Sequence, residues 1–110
     1  MPFVNIYTIE KNIASLKSLI QEIKEFVAKK LSCKERVLNS NEISIRLIVP
    51  STSSQIAETE LTITAYPYPE RIKEQDKICL EIRNFIISNA NIKSVYVWLQ
   101  LCELGHSSEQ

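Results

Sequence analysis

Twice in 110 residues, an alternating apolar run is followed by a long stretch of helical spacing and then by a second alternating run. Residues 2–9, PFVNIYTI, carry the two-residue period of a strand and are rich in β-branched and aromatic side chains. In KNIASLKSLIQEIKEFVAKKL, the residues Ile13, Leu16, Leu19, Ile20, Ile23, Phe26, Val27 and Leu31 recur at helical spacing. Lysines gather at its C-terminal end, where the helix dipole favours them. A polar connection at 39–41 leads to EISIRLIVP, a strand stopped by Pro50. After the serine-rich segment STSSQIAE the order repeats. TELTITAY reads as a strand, YPYP breaks it, and ERIKEQDKICLEIRNFIISNA reads as a helix with Ile72, Ile78, Ile82, Phe85 and Ile86 on one side. IKSVYVWLQLCEL reads as a last strand.

This recurrence leaves few architectures. A strand, a helix and a strand joined in that order favour parallel pairing through a right-handed crossover. The expectation is an α/β (α+β) fold of tandem βαβ units, 2–50 and 59–104, in one domain spanning 1–110 with a polar tail at 105–110. The four strands form one mixed sheet with both helices on one face. The halves share architecture more than residues. Alternation then assigns faces. Ile43, Ile45 and Leu47 point one way, and Ser44, Arg46 and Ile48 the other; Val95, Val97, Leu99 and Leu101 oppose Tyr96, Trp98, Gln100 and Cys102. The first set takes the helices. The second is mixed, and an aromatic as large as Trp98 on it fits a subunit interface or a pocket wall, with sheets packing on sheets.

Composition excludes several classes. Thirteen Lys and Arg balance thirteen Asp and Glu, so there is no basic footprint for nucleic acid and no polybasic membrane patch. No apolar run is long enough to span a bilayer, and the N-terminus lacks the pattern of a signal peptide. Gly105 is the only glycine, which argues against phosphate-cradling loops and dinucleotide folds. Cys33, Cys79 and Cys102 are odd in number, widely spaced and without a CxxC pair. They read as reduced and mostly buried, which favours a cytoplasmic location. With His106 the only histidine, the pattern also argues against a zinc site.

The Met-Pro start, the two βαβ units and the segments EISIRLIV and SVYVWLQLCEL together resemble the tautomerase superfamily. The nearest branch is the one typified by 5-carboxymethyl-2-hydroxymuconate isomerase, and SVYVW resembles a last-strand motif of the macrophage migration inhibitory factor branch. The likeness covers most of the chain, and Pro2 is its one sharp motif. It implies a homotrimer whose sheets close around a central barrel, with sites near subunit boundaries. It implies a proton shift on a small carboxylic acid carried out by the N-terminal proline, with no metal or coenzyme and with cationic side chains holding the carboxylate.

On this resemblance Pro2 is the candidate general base, provided Met1 is removed; otherwise its nitrogen is an amide without basicity. Arg46, in mid-strand, is a candidate carboxylate clamp or an interface arginine. The isomerase branch places an arginine two positions before Arg46, where this chain has Ser44. A serine cannot bind a carboxylate ionically, which argues against that branch's dicarboxylate substrate. Arg71 matches an arginine at the start of the second helix or is a surface residue of its first turn. Lys34 corresponds to a lysine of the inhibitory-factor branch, and Tyr96 and Trp98 wall the pocket or fill an interface. Two other readings stand beside the enzyme: a tautomerase-fold trimer without catalysis, and a ferredoxin-like binding or regulatory module. An RNA-binding module of the latter kind should show aromatics on central strands, where this chain has Ser44, Thr62 and Thr64.

Overall fold

The computed structural model describes residues 2–51 and 57–103. The strands are β1 (Phe3–Tyr7), β2 (Ser44–Ile48), β3 (Thr59–Ala65) and β4 (Val95–Leu101). The helices are α1 (Ile13–Ser18), α2 (Ile20–Leu31), α3 (Pro69–Lys73) and α4 (Gln75–Ala90), with 3-10 turns at Glu10–Asn12 and Ser40–Glu42. The sheet order is β2-β1-β3-β4, with β1 parallel to β2, β3 parallel to β4, and the two central strands antiparallel. Each βαβ unit therefore supplies one half of the sheet, and an approximate two-fold relates the halves.

Alternation sorts the side chains as the sequence pattern requires. Val4, Ile6, Leu61, Ile63, Ala65 and Val95 are buried beneath Leu16, Ile23, Val27 and Leu31 of the first unit and Ile78, Ile82 and Ile86 of the second. Each fully buried aliphatic of this kind contributes roughly 1.5–3 kcal/mol relative to exposure. Among the described residues, the other face has no helix on it. Across it run two adjacent rows in register, Arg46–Asn5–Thr62–Trp98 and Ile48–Tyr7–Glu60–Tyr96.

Both helical segments depart from the single helices expected. The first is divided at Leu19, whose N–H bonds Leu16 O at 3.0 Å in a tightened turn before Ile23 N–H bonds Leu19 O at 2.8 Å. The second is divided at Glu74, with φ −104° and ψ 17°. Its first turn begins at Pro69, where the absent N–H costs nothing. Ile72, expected on the inward side, is 49% exposed, and Arg71 is buried instead. The reason is angular: Arg71 is two helical turns before Ile78 and shares its face, while Ile72 is rotated away. α4 ends on Asn91 at φ 56°, ψ 42°, so asparagine takes the left-handed position that glycine commonly fills.

The free edge of β4 is partly covered. Arg83 Nε donates to Val95 O at 3.1 Å, and Cys79 lies beside the Leu99 backbone. Burial raises the Cys79 thiol above its ordinary range, and the Leu99 backbone opposes the rise. All three cysteines are free. Among the described residues, no helix is long and apolar enough to cross a membrane. The linker at 52–56 and the tail residue His106 lie outside the described residues.

Candidate active site at one end of the sheet

Pro2 stands one residue before β1. The β1 alternation places it with Val4, Ile6 and Thr8 on the helix face, and it is buried. Its carbonyl accepts the Ser44 N–H at 3.2 Å, which fixes it to the head of β2. Ser44 is half-buried, and its side chain belongs to the open face beside Phe3. The finishing ends of β3 and β4 lie at the same end of the sheet, since Phe3 pairs with Thr64 and Cys102 N–H bonds Ala65 O at 3.0 Å.

Immediately beyond β3, the YPYP segment turns sharply. Tyr68 N–H bonds Tyr66 O at 3.0 Å, and the two rings meet with centroids 4.9 Å apart. The turn delivers Arg71 beneath the C-terminal end of α2. Arg71 is only 3% exposed. Its Nε donates to Leu31 O at 2.8 Å and its Nη1 to Tyr66 O at 3.0 Å, and the Tyr68 ring covers the guanidinium at 4.9 Å. Burial lowers its pKa from the ordinary value, and nearby Cys33 and Tyr68 oppose that shift. The arginine is a strut between α2 and the turn, with its third nitrogen, Nη2, left without a partner among the described residues.

After α2 the chain makes a tight reversal, in which Cys33 and Arg36 exchange backbone hydrogen bonds of 2.8 and 3.1 Å. Lys34 is at its tip, exposed, with its backbone N–H on Glu70 Oε2 at 3.2 Å. Between this reversal and the second helical segment lies a partly open cavity of about 220 Å³, lined by Lys30, Ser32, Cys33, Glu70, Arg71, Glu74 and Ile78. Pro2 is not among its lining residues. Of these, Arg71 alone is a binding candidate from the sequence; Cys33, Glu70 and Glu74 carry no motif that gathers them.

The remaining candidates lie elsewhere. Arg46, Tyr96 and Trp98 are exposed on the open face, the last two with ring centroids 6.2 Å apart. Arg46 is on β2 and Trp98 on β4, opposite edges of the sheet and about 14 Å apart at the usual strand spacing. Within one chain, then, Pro2, Ser44, Arg71 and Lys34 gather at one sheet end, while Arg46, Tyr96 and Trp98 do not join them.

No protein-family model matches the sequence, and no curated protein matches it. Solved structures do. A macrophage migration inhibitory factor-like protein from Entamoeba histolytica superposes with TM-score 0.65 at 8% identity, covering 92% of this chain and 88% of that one. A fused 4-OT symmetric trimer superposes with TM-score 0.64 at 10% identity, covering 98% and 93%. Malonate semialdehyde decarboxylase superposes with TM-score 0.56 at 11% identity, covering 96% and 92%. The fold is thus a tautomerase-type fold.

Proposed function

We propose that the chain is a cofactor-independent tautomerase or isomerase that uses Pro2, freed by removal of Met1, as general base. The reaction is a keto–enol or 1,3-proton shift on a small 2-oxo or enol carboxylic acid. The observation that carries this reading is the position of Pro2: a buried proline heading a central strand, at the sheet end where Ser44, Lys34 and Arg71 converge, in a fold of this type. An α-amino group titrates near ~8, against about 10.4 for a lysine. Seclusion from water disfavours the charged form and brings the amine closer to neutrality, where a general base is most effective. The ring fixes the nitrogen at the start of the ladder, so little orientation is lost on binding.

The same reading takes the open sheet face as the contact between three copies. Phe3, Tyr96 and Trp98 are 39%, 43% and 51% exposed there, and in such an assembly Arg46 of one copy would meet Trp98 of another. In that assembly Arg46 is a clamp for the substrate carboxylate, and Tyr96 and Trp98 wall the site. The fused 4-OT trimers among the structural neighbours support this assembly. The three free cysteines support a cytoplasmic location.

The deciding experiment follows ketonisation of a phenylpyruvate-type enol by ultraviolet absorbance, with the N-terminus of the same protein defined by mass spectrometry. Pro2→Ala should lower kcat/KM by about 100-fold or more with circular dichroism unchanged. Full activity in that variant, or in protein that retains Met1, overturns the mechanism. Light scattering should give a trimer; a monomer removes the shared site.

A further inference from the structure

The cavity between α2, α3 and α4 has a chemistry that proton transfer does not use. Cys33 lines it and is 8% exposed. Arg71, 97% buried, spends Nε and Nη1 on the carbonyls of Leu31 and Tyr66, while Nη2 has no partner among the described residues. No sealed side-chain nitrogen or oxygen among the described residues lacks a hydrogen bond, so Nη2 keeps some access to solvent, and Arg71 lines the cavity. Cys33 is near enough to Arg71 to act on its charge. The segment that carries Arg71 also makes the lining acidic. Glu74 belongs to it, and Glu70 belongs to it with Oε2 on the Lys34 N–H. Lys30, the remaining cation of the lining, is committed to an ion pair with Glu81. One free cationic donor, two carboxylates and a thiol thus line one cavity.

We propose that Cys33 is a site of mixed-disulfide formation with a small zwitterionic disulfide, one whose half is an α-amino acid, as in cystine. The α-carboxylate is held by Arg71 Nη2 and the α-ammonium by Glu74 and Glu70, which places the ligand's sulfur at Cys33. A purely anionic ligand would meet the two glutamates unpaired, and a purely cationic one would meet Arg71. The exchange balances within the two reactants. The Cys33 thiol releases its proton to water, and the thiolate attacks one sulfur of the disulfide. The new sulfur–sulfur bond forms as the old one breaks, and the departing half takes up a proton as a free thiol. Cys33 is oxidised, and the departing half is reduced. Negative charge spread over the three sulfurs during attack faces the Arg71 guanidinium. This inference is independent of the role given to Pro2.

The test uses the full chain, incubated separately with cystine and with uncharged bis(2-hydroxyethyl) disulfide, followed by peptide mapping of each cysteine over time. Cys33 should react about tenfold faster with cystine than with the uncharged reagent, as expected for a charge-assisted contact made only by the zwitterion. Cys79, whose thiol is raised by burial, should be slow with both. Glu74→Gln and Arg71→Lys should each erase most of the Cys33 preference, and Cys33→Ser should remove the adduct at that position. If Arg71→Lys fails to fold, Glu74→Gln decides alone. A Cys33 that stays unmodified, or that shows no preference for cystine, or a preference that survives Glu74→Gln, overturns the proposal.

Discussion

The two ends of the central strand pair are related by the approximate two-fold of the fold, and they use their polar groups in opposite ways. At the end formed by Thr8 and Thr59, both residues are essentially inaccessible and their hydroxyls bond each other at 2.9 Å. Asn12 Nδ2 reaches Thr8 Oγ1 at 3.4 Å and Glu58 Oε1 at 3.3 Å, and Lys11 Nζ is 3.4 Å from Glu58 Oε2. Ser94 seals the backbone, accepting Thr59 N–H at its carbonyl, 3.1 Å, and Glu58 N–H at its hydroxyl, 3.3 Å. The other end begins with Pro2, and its one buried guanidinium leaves Nη2 without a partner among the described residues, beside a cavity that Arg71 lines. A network closed on itself holds a sheet together. One that leaves a donor unspent beside a cavity has something to offer a ligand, and this difference supports the reading proposed for the Pro2 end.

The comparison breaks first at Arg71. If it is a strut as well as a cavity wall, Arg71→Met should cost about 2–4 kcal/mol, because the Leu31 and Tyr66 carbonyls lose their donor together. Urea unfolding with an unchanged slope would register this as a lower midpoint. A loss within experimental scatter would mean that the arginine is held by its surroundings and holds nothing itself. At the closed end the expected effect is smaller. Thr59→Val leaves Thr8 Oγ1 with the long Asn12 contact alone and should cost about 1–2 kcal/mol. The double variant Thr8→Val with Thr59→Val should lose less than the two single losses added, since neither hydroxyl is then left unpaired. Strict additivity would show that the hydroxyls do not act as a pair.

How much of this was legible in the sequence follows the range of the interactions. Period-two alternation is local, so the two faces of β2 and β4 could be assigned, down to Arg46 and Trp98 on the open face. Helical spacing is local too, and it identified Leu16, Ile23, Ile78 and Ile82 as core. What failed was the grouping of Ile72 with the inward side of the second helical segment. Ile72 is six residues before Ile78 and roughly 120° off its face, whereas Arg71 is seven before it and, tied to Leu31 and Tyr66, is the residue inside. The bond between Thr8 and Thr59 joins residues 51 apart, and the Arg71–Leu31 bond joins residues 40 apart. Neither leaves a pattern in one sequence. Pro2 enters as a candidate from its place in the sequence, but the lining of the cavity does not, because Cys33, Glu70 and Glu74 come together only when α3 docks under α2.

The smallest effect tests whether the closed end is closed electrostatically as well. The Asn12 hydrogen bond, followed by the Lys11 ammonium, holds the Glu58 carboxyl below the ordinary carboxylate range. A folded-state value depressed below the unfolded one contributes stability that is fully present above the unfolded value and is lost as pH falls through the folded one. Wild-type protein should therefore exceed Glu58→Gln slightly in Tm at neutral pH, and the gap should close as the solution is acidified below the normal carboxylate range. Added salt should narrow the neutral-pH gap without abolishing it, because the Lys11 pair is solvent-exposed and screened while the Asn12 bond is not an ion pair. A gap that widens on acidification reverses the sign of the linkage and would make Glu58 a strain on the closed end, leaving the hydroxyl pair as the whole of its stability.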